Sequence, residues 1–226
     1  MKNYAIILAS GAGHRFQGDL PKQFSKINGK MILEYSIEAF ENNKYIDEIV
    51  LVILPEYKDY AVELVKNNRY HKVLKIVNGG AERKDSSYIG INAVEESNAN
   101  VLIHDCARPF VSQDIITKCI NALDKYEAVA VAIPTSDTII SVDSGIINAI
   151  PDRKTLMRIQ TPQCFRLDLI KKAHELSKND YNFTDDCGLV FRHNLSYVHI
   201  IEGSENNIKI TYPQDILYAK TFLDNM

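Results

Sequence analysis

The sequence predicts an α/β fold that is Rossmann-like, with a mostly parallel, doubly wound sheet and a projecting β-arm. Short apolar runs alternate with stretches of helical periodicity along the chain. Several runs are continuous and rich in Ile, Leu and Val, as in strands buried on both faces of a sheet. Between residues 135 and 165 the alternation stops, and two short strand-like runs flank "VDSG", a hairpin pattern.

The predicted elements follow in order along the chain. Apolar, β-branched runs indicate strands at 4–9, 46–54, 72–77, 101–104, 128–134 and 197–203. Helical patterns lie at 31–43, 56–68, 86–97, 112–126, 168–177, 186–193 and 213–224. Pro55 and Pro213 fit the first turns of two helices, and Ser86 is a candidate cap of another. Strands that alternate with helices predict a parallel sheet covered on both faces.

Length and composition fit a single domain over residues 1–226, with the β-arm at roughly 136–152. The net charge of −3 gives no general basic character of the kind that indicates nucleic acid binding. The apolar run at the N-terminus is too short to span a membrane. Four cysteines without metal-like or CxxC spacing predict reduced thiols. We expect a cytoplasmic protein that binds neither nucleic acid nor membrane.

Three polar clusters directly follow predicted strands. They are "SGAGHRF" after the first strand, "NGGAERKDSS" after the third and "HDCARPF" after the fourth. The carboxyl ends of parallel strands meet at one edge of a sheet, where ligands bind in open α/β folds. We therefore expect the three clusters to form one binding site.

The first cluster predicts a phosphate site. Gly11 and Gly13 let backbone N–H groups approach an anion, Arg15 adds a planar donor fork, and Lys22 adds a point charge. The loop contains no GxxxxGK[ST] pattern, and Phe16 stands where a dinucleotide-binding GxGxxG motif requires its third glycine. The pattern indicates a nucleoside triphosphate bound in a different way from that of kinases and dehydrogenases.

Seven motifs in order across nearly the whole chain carry a resemblance: "ASGAGHRF…LPKQF", "GGAERKDSS", "HDCARPF", "PTSDT", "QTPQCF", "TDD" and "NNIKIT". Together they resemble the cytidylyltransferases that activate small polyol phosphates, whose fold is of the nucleotide-diphospho-sugar transferase type. The resemblance implies an enzyme that joins CTP to an alcohol phosphate and releases pyrophosphate. The acceptor phosphate is already anionic near neutral pH, because its second pKa is about 6, so the reaction needs no general base.

The resemblance also implies the roles of individual residues. The catalytic residues it implies are Arg15, Lys22 and Lys209. The nucleotide-binding residues it implies are Ala9, Ser10, Gly11, Gly13, Gly80 and Ser86. The acceptor-binding residues it implies are Asp105, Arg108, Thr138, Arg153 and Thr161, with Asp105 also beside a divalent cation, Mg²⁺ or another. In the family the arginine at the position of Arg153 comes from the partner subunit, so the resemblance implies a homodimer formed through the β-arm.

Other residues in the motifs have structural interpretations. We interpret His104 as a packed histidine, because the chemistry needs no base. Cys106 and Cys187 are interpreted as small packing residues. The "TDD" motif at 184–186 is interpreted as a helix cap, with contact between Thr184 and the acceptor as a second possible role.

The acceptor has two candidates. "IPDR" (150–153) and "PKQFSKINGK" resemble the ribitol-5-phosphate branch, whereas "TDD" and Ala107 resemble the 2-C-methyl-D-erythritol 4-phosphate branch of isoprenoid synthesis. We expect ribitol 5-phosphate or a related polyol phosphate, used in cell wall or capsule synthesis, with the second branch as the alternative. Two further classes stay open: a hexose-phosphate nucleotidyltransferase, usually a longer chain, and a non-catalytic nucleotide-binding regulator, which the combination of Arg15, Lys22 and Lys209 disfavours.

Overall fold

The computed structural model describes residues 1–11, 13, 16, 20–180 and 182–224. The strands are β1 (Lys2–Ala9), β2 (Lys26–Ile27), β3 (Lys30–Met31), β4 (Glu48–Ile53), β5 (Val73–Asn78), β6 (Ala99–Asp105), β7 (Ala128–Pro134), β8 (Ser141–Asp143), β9 (Ile146–Ala149), β10 (Met157–Arg166) and β11 (Val198–Glu202). The helices are α1 (Ile32–Glu41), α2 (Lys58–Asn68), α3 (Arg83–Asn92), α4 (Gln113–Ala122), α5 (Leu167–Leu176), α6 (Asp186–Arg192) and α7 (Gln214–Asp224).

Within the described residues, seven strands form one sheet in the order β11–β7–β10–β6–β1–β4–β5. The pairs β1–β4, β1–β6, β4–β5 and β7–β11 are parallel, and β10 is antiparallel to both β6 and β7. This arrangement confirms the mostly parallel, doubly wound sheet. The chain passes from β1 to β4 and β5 on one side and later to β6 on the other. The carboxyl ends of β1 and β6 therefore border a switch point of the kind where open α/β sheets bind ligands.

The core lies on both faces of the sheet, because successive side chains of a buried strand point to opposite faces. On β1, Ile7 packs into a cluster that contains Ile37 of α1 and Ile116 of α4. The neighbouring Ile6 packs into a second cluster, which contains residues of α3, α5 and α6. The continuous apolar runs of the sequence thus correspond to strands that are buried on both sides.

Two local predictions were wrong. The chain enters the sheet as β10 at residues 157–166, where no strand was predicted, because Gln160, Thr161 and Gln163 interrupt the apolar pattern. Helix α3 begins at Arg83 and not at 86, and its first turn is closed by the Asp85 carboxylate, which accepts from the backbone N–H of Glu82 at 3.1 Å. Ser86 lies inside this helix and is not its cap.

Strands β8 and β9 form a separate two-stranded sheet within the residues of the β-arm. Every residue of the two strands is exposed, and the side chain of Ile146 is 73% exposed. In the part of the chain that the structure describes, no helix is long and apolar enough to cross a bilayer.

Candidate active site

A cavity of about 550 Å³ lies at the carboxyl ends of β1, β5 and β6. The polar clusters and the "NNIKIT" motif meet there, as the sequence predicts for loops at one edge of a parallel sheet. The lining includes nine of the proposed site residues: Ala9, Ser10, Gly11, Gly13, Lys22, Gly80, Ser86, Asp105 and Lys209. Arg15 lies outside the described residues.

The loops after β1 and β5 touch at one wall of the cavity. Ser10 Oγ donates to Ser86 Oγ at 2.7 Å, and Ser86 Oγ accepts from the backbone N–H of Gly80 at 3.1 Å. A Cβ on Gly79 would lie 2.2 Å from the Cβ of Ser10, so only glycine fits at this contact. The wall is built from small side chains and backbone, which suits a flat base and a ribose.

Lys22 joins two distant parts of the chain at the cavity. Its Nζ donates to the carbonyl oxygen of Ile210 at 3.1 Å, next to Lys209. The neighbouring Gln23 is buried and donates from Nε2 to the carbonyl oxygen of Ala9 at 2.7 Å. The turn Lys22–Phe24 is thereby held against the end of β1, and the ammonium group of Lys22 is held at the cavity wall.

Asp105 is the central charge of the cavity. Its Oδ1 accepts from Nε of Arg83 at 3.0 Å, and its Oδ2 accepts from Nζ of Lys209 at 2.7 Å. Burial by itself would raise the pKa of Asp105, but the charges of Arg83 and Lys209 hold it well below the usual range. Asp105 is therefore ionised at neutral pH and holds Lys209 at the edge of the cavity.

Arg83 and Asp186 are the charged residues of this region that sequence reasoning missed. Arg83 lines the cavity and pairs through Nη1 with Asp186 Oδ2 at 2.7 Å. Arg83 lies inside the "GGAERKDSS" motif, which directly follows β5. A charged residue so close to the carboxyl end of a parallel strand was the signal that could have indicated a place in the site. Within the "TDD" motif, Asp185 is the helix cap, since its Oδ1 accepts from the N–H of Gly188 at 2.9 Å, whereas Asp186 forms the ion pair.

Arg108 and Thr161 lie beside Asp105. Arg108 donates from Nη1 to the carbonyl oxygen of Asn207 at 2.6 Å, and burial lowers its pKa. The Thr161 hydroxyl is buried and accepts from the backbone N–H of Asp105 at 3.1 Å. Thr161 thus positions Asp105, and its predicted contact with the acceptor stays a prediction.

Thr138 and Arg153 lie at the two ends of the β-arm. Neither lines the cavity in the described part of the chain, and both are exposed. Arg153 donates from Nη1 to the carbonyl oxygen of Ser136 at 2.9 Å. One copy of the chain therefore does not bring these two residues to its own cavity.

His104 is fully buried beneath the "DCAR" turn. Its Nε2 lies 3.0 Å from the carbonyl oxygen of Arg108, which can only accept, so Nε2 carries the proton. Its Nδ1 then accepts from the Thr161 hydroxyl at 3.1 Å. Burial lowers the pKa of His104 to about 4, which keeps it neutral at pH 7. This arrangement is that of a packed histidine which fixes the turn carrying Asp105 and Arg108.

The neutral His104 predicts a pH-dependent stability. Its pKa is about 4 in the folded chain and 6.5 when unperturbed, so the unfolded chain binds the extra proton between these values. The contribution of neutral His104 to the free energy of unfolding is complete above pH 6.5 and is lost as the pH falls towards 4. Between pH 7 and pH 5 we expect His104 to lower the free energy of unfolding by about 2 kcal/mol.

Urea unfolding of the wild type and of His104→Gln at the two pH values measures this contribution. Glutamine keeps a donor for the Arg108 carbonyl but has no titratable group. The wild type should lose about 2 kcal/mol more than the variant on acidification. An equal loss in both proteins would show that His104 is not held neutral.

The residues of the cavity could hold a divalent cation only together with the phosphate groups of a bound substrate. Among the described residues, no three His, Cys, Asp or Glu side chains are arranged to hold a metal ion. Asp105 offers a single carboxylate, and both of its oxygens already accept from Arg83 and Lys209. Mg²⁺ is commonly held by phosphate oxygens, water and one or two carboxylates, and this site suits that mode.

Comparison with known proteins identifies the family. The sequence model of the 2-C-methyl-D-erythritol 4-phosphate cytidylyltransferase (IspD) family matches residues 4–225. The enzyme of that name from Lachnospira eligens is 40% identical over 98% of this chain and 99% of its own. The bifunctional ribulose 5-phosphate reductase/CDP-ribitol pyrophosphorylase of Haemophilus influenzae is 42% identical over 96% of this chain and 47% of its own.

The fold agrees with the sequence comparison. The crystal structure of 4-diphosphocytidyl-2C-methyl-D-erythritol synthase from Anaerococcus prevotii superposes with a TM-score of 0.88 at 32% identity, covering 99% of this chain and 96% of that one. The alternative of a non-catalytic regulator is thereby set aside, because the matched proteins are enzymes. The chain belongs to the 2-C-methyl-D-erythritol 4-phosphate cytidylyltransferase family and is a cytidylyltransferase for a polyol phosphate.

Proposed function

We propose that the chain transfers CMP from CTP to 2-C-methyl-D-erythritol 4-phosphate. A phosphate oxygen of the acceptor bonds to the α-phosphorus of CTP, and the bond from that phosphorus to pyrophosphate breaks. The observation that carries the proposal is the cavity, which gathers Gly11, Gly13, Lys22, Lys209 and Asp105 at the carboxyl ends of the central strands. It offers cations for the triphosphate and a carboxylate for hydroxyl groups of the acceptor.

The comparisons favour this acceptor over the ribitol phosphate expected from local motifs. The family match and the Lachnospira and Anaerococcus relatives carry the methylerythritol name and align over nearly their whole length. The Haemophilus protein has a comparable sequence identity of 42%, but this chain aligns with 47% of its length. Identity alone does not separate the two acceptors, whereas the family match and the full-length agreement support the first.

The roles of the charged residues follow from the reaction. Lys22 and Arg15 neutralise the charge that develops as pyrophosphate leaves. Asp105 keeps Lys209 at the cavity, where its ammonium group attracts the acceptor phosphate. No residue has to remove a proton, since the attacking phosphate is already anionic. A divalent cation, Mg²⁺ or another, would lie beside Asp105 together with the triphosphate and would add to the charge neutralisation.

The acceptor site is completed by a second copy of the chain. The β-arm exposes a series of isoleucines: Ile139, Ile140, Ile146, Ile147 and Ile150. Isolated two-stranded hairpins are marginal in water, so these side chains favour burial against a partner. A homodimer related by a two-fold axis brings Thr138 and Arg153 of one protomer towards the cavity of the other.

A cytoplasmic location fits the thiols of the chain. Cys106, Cys119, Cys164 and Cys187 are all buried and unpaired. Free thiols persist in a reducing compartment, where structural disulfides are rare. The packing interpretation of Cys106 agrees with its burial, which raises the pKa of its thiol to about 12.

Pyrophosphate release with purified protein tests the proposed function. With CTP and Mg²⁺ we expect kcat/KM for 2-C-methyl-D-erythritol 4-phosphate to exceed that for D-ribitol 5-phosphate on the order of a hundredfold, since one added or missing carbon group on a small substrate typically changes transition-state binding by about 1–3 kcal/mol. A preference for ribitol 5-phosphate would instead assign the CDP-ribitol reaction.

The same assay with ATP in place of CTP tests the nucleotide. We expect ATP to be turned over far more slowly, because the chain belongs to a family of cytidylyltransferases and we assign the wall formed by Ser10, Ser86 and Gly80 to the cytosine base. Comparable turnover with ATP would contradict the assignment of this wall to a pyrimidine.

A further inference from the structure

A line of charged side chains runs from the cavity into the interior between α3, α5 and α6. It begins at Lys209, passes through Asp105 and Arg83, and ends at Asp186 and His174. The signs alternate along the ionised members, so each carboxylate is held between donors. The first three line the cavity, whereas Asp186 and His174 do not, in the part of the chain that the structure describes.

Asp186 is surrounded by donors on both carboxylate oxygens. Its Oδ2 accepts from Arg83 Nη1 at 2.7 Å. Its Oδ1 accepts from the Ser87 hydroxyl at 2.5 Å and lies 3.2 Å from Nε2 of His174. The side chain is 1% exposed. Burial by itself would raise the pKa of Asp186, but the positive charge of Arg83 and the hydrogen bonds lower it to about 2.

The backbone that carries Asp186 is fixed to the central sheet. Gln163 of β10 accepts through Oε1 from the N–H groups of Asp186 at 2.9 Å and Cys187 at 3.1 Å. Its Nε2 donates to Asp185 Oδ2 at 3.0 Å. The start of α6 is therefore anchored to a strand that neighbours β6, and β6 ends at Asp105. Asp186 and Asp105 hold the guanidinium group of Arg83 from two rigid elements.

A buried ion pair contributes little to stability, because the cost of desolvating the two charges offsets much of their attraction. The ion pair between Arg83 and Asp186 does, however, fix the orientation of the Arg83 guanidinium group. Arg83 donates from Nε to Asp105 Oδ1 and from Nη1 to Asp186 Oδ2. The other oxygen of Asp105, Oδ2, therefore accepts from Lys209. Without Asp186, the planar fork of Arg83 would be free to bind both oxygens of Asp105 and to displace the Lys209 ammonium.

We propose that Asp186 is a positioning residue, which holds Arg83 so that one oxygen of Asp105 stays available to orient Lys209 for the reaction. The inference rests on the role of Lys209 in the proposed function. It assigns an effect on catalysis to a side chain that touches no substrate and lies behind the cavity wall.

The test compares two variants of the same buried carboxylate. Asp186→Asn removes the charge that holds Arg83, whereas Ser87→Ala removes a hydrogen bond to the other oxygen and leaves the ion pair intact. We expect kcat to fall about tenfold in Asp186→Asn, because Lys209 is misplaced, and less than about twofold in Ser87→Ala. The KM for CTP should stay within about twofold of the wild type in both, since the contacts of Ser10, Ser86 and Gly80 are untouched.

A double-mutant cycle distinguishes positioning from general damage. In a Lys209→Ala background, Asp186→Asn should lower kcat by less than about twofold, because the residue through which it acts is gone. A tenfold loss that persists in this background, or equal losses in Asp186→Asn and Ser87→Ala, would overturn the inference. Wild-type turnover with either acceptor tests the proposed function separately and does not depend on these ratios.

If thermal unfolding shows that Asp186→Asn does not fold, Arg83→Lys replaces it in the test. Lysine keeps the charge but lacks the fork that bonds two carboxylates at fixed angles. We expect about a tenfold fall in kcat that again disappears in Lys209→Ala. Unchanged kcat in Arg83→Lys would overturn the inference, because Arg83 would then not need to be held in one orientation.

Discussion

Lys22→Ala is expected to lower kcat on the order of a hundredfold while the chain stays folded. The lysine lies at the cavity wall, where its ammonium group can meet the departing pyrophosphate. Preorganised charge at a developing anion is worth about 3 kcal/mol in known enzymes, which corresponds to this factor in rate. The stability cost is small by comparison, since a hydrogen bond such as that to the Ile210 carbonyl contributes about 1 kcal/mol.

The matched control is Lys26→Ala. Lys26 is an exposed lysine four positions along the chain and does not line the cavity in the described residues. Steady-state pyrophosphate release and thermal unfolding of both variants separate catalysis from folding. The same loss is expected for Arg15→Ala on sequence grounds. Near-wild-type turnover in Lys22→Ala would mean that the lysine only holds the loop.

Two inactive variants are expected to restore activity to each other when their subunits exchange. We choose Lys22→Ala and Arg153→Ala, because Lys22 lies in the chain's own cavity and Arg153 is proposed to reach the partner's cavity. In a heterodimer one site carries both defects and the other carries neither. After complete exchange half of the dimers are mixed, so the expected activity is about a quarter of that of the wild type.

The control pair is Lys22→Ala with Lys209→Ala. Both lysines line the same cavity of one chain. Each site of their heterodimer therefore carries one defect, and no recovery is expected. Recovery in the first pair alone supports the shared site. A fully active monomer, or heterodimers of the first pair without recovered activity, would contradict it.

Most of the sheet was predictable because its signal is local. A strand buried on both faces needs apolar residues at every position, and β1, β4 and β7 show such runs. β10 was missed because its polar residues do not look buried. Gln163 is tolerated there because its side chain binds the start of α6, which lies more than twenty residues later. A local pattern contains no information about that partner.

The candidate site divides in the same way. The glycines and charged residues after β1, β5 and β6 were predictable as a group, since parallel strands bring their carboxyl ends to one edge. The hydrogen bonds and ion pairs within this group were not predictable. Thr161 binds the Asp105 backbone through a strand that the pattern did not reveal, and Arg153 lies away from the cavity that its own chain forms.

The sequence by itself determined the fold class and the position of the candidate site along the chain, and it predicted a phosphate site in the first loop. Periodicity and glycine placement act within a few residues, so they can be read without coordinates. Only the tertiary structure decided that Arg83 and Asp186, 103 positions apart, share a hydrogen bond, and that Asp105 lies between Arg83 and Lys209. Pairing of distant charges depends on how the helices pack on the sheet, and that geometry is set by the whole chain.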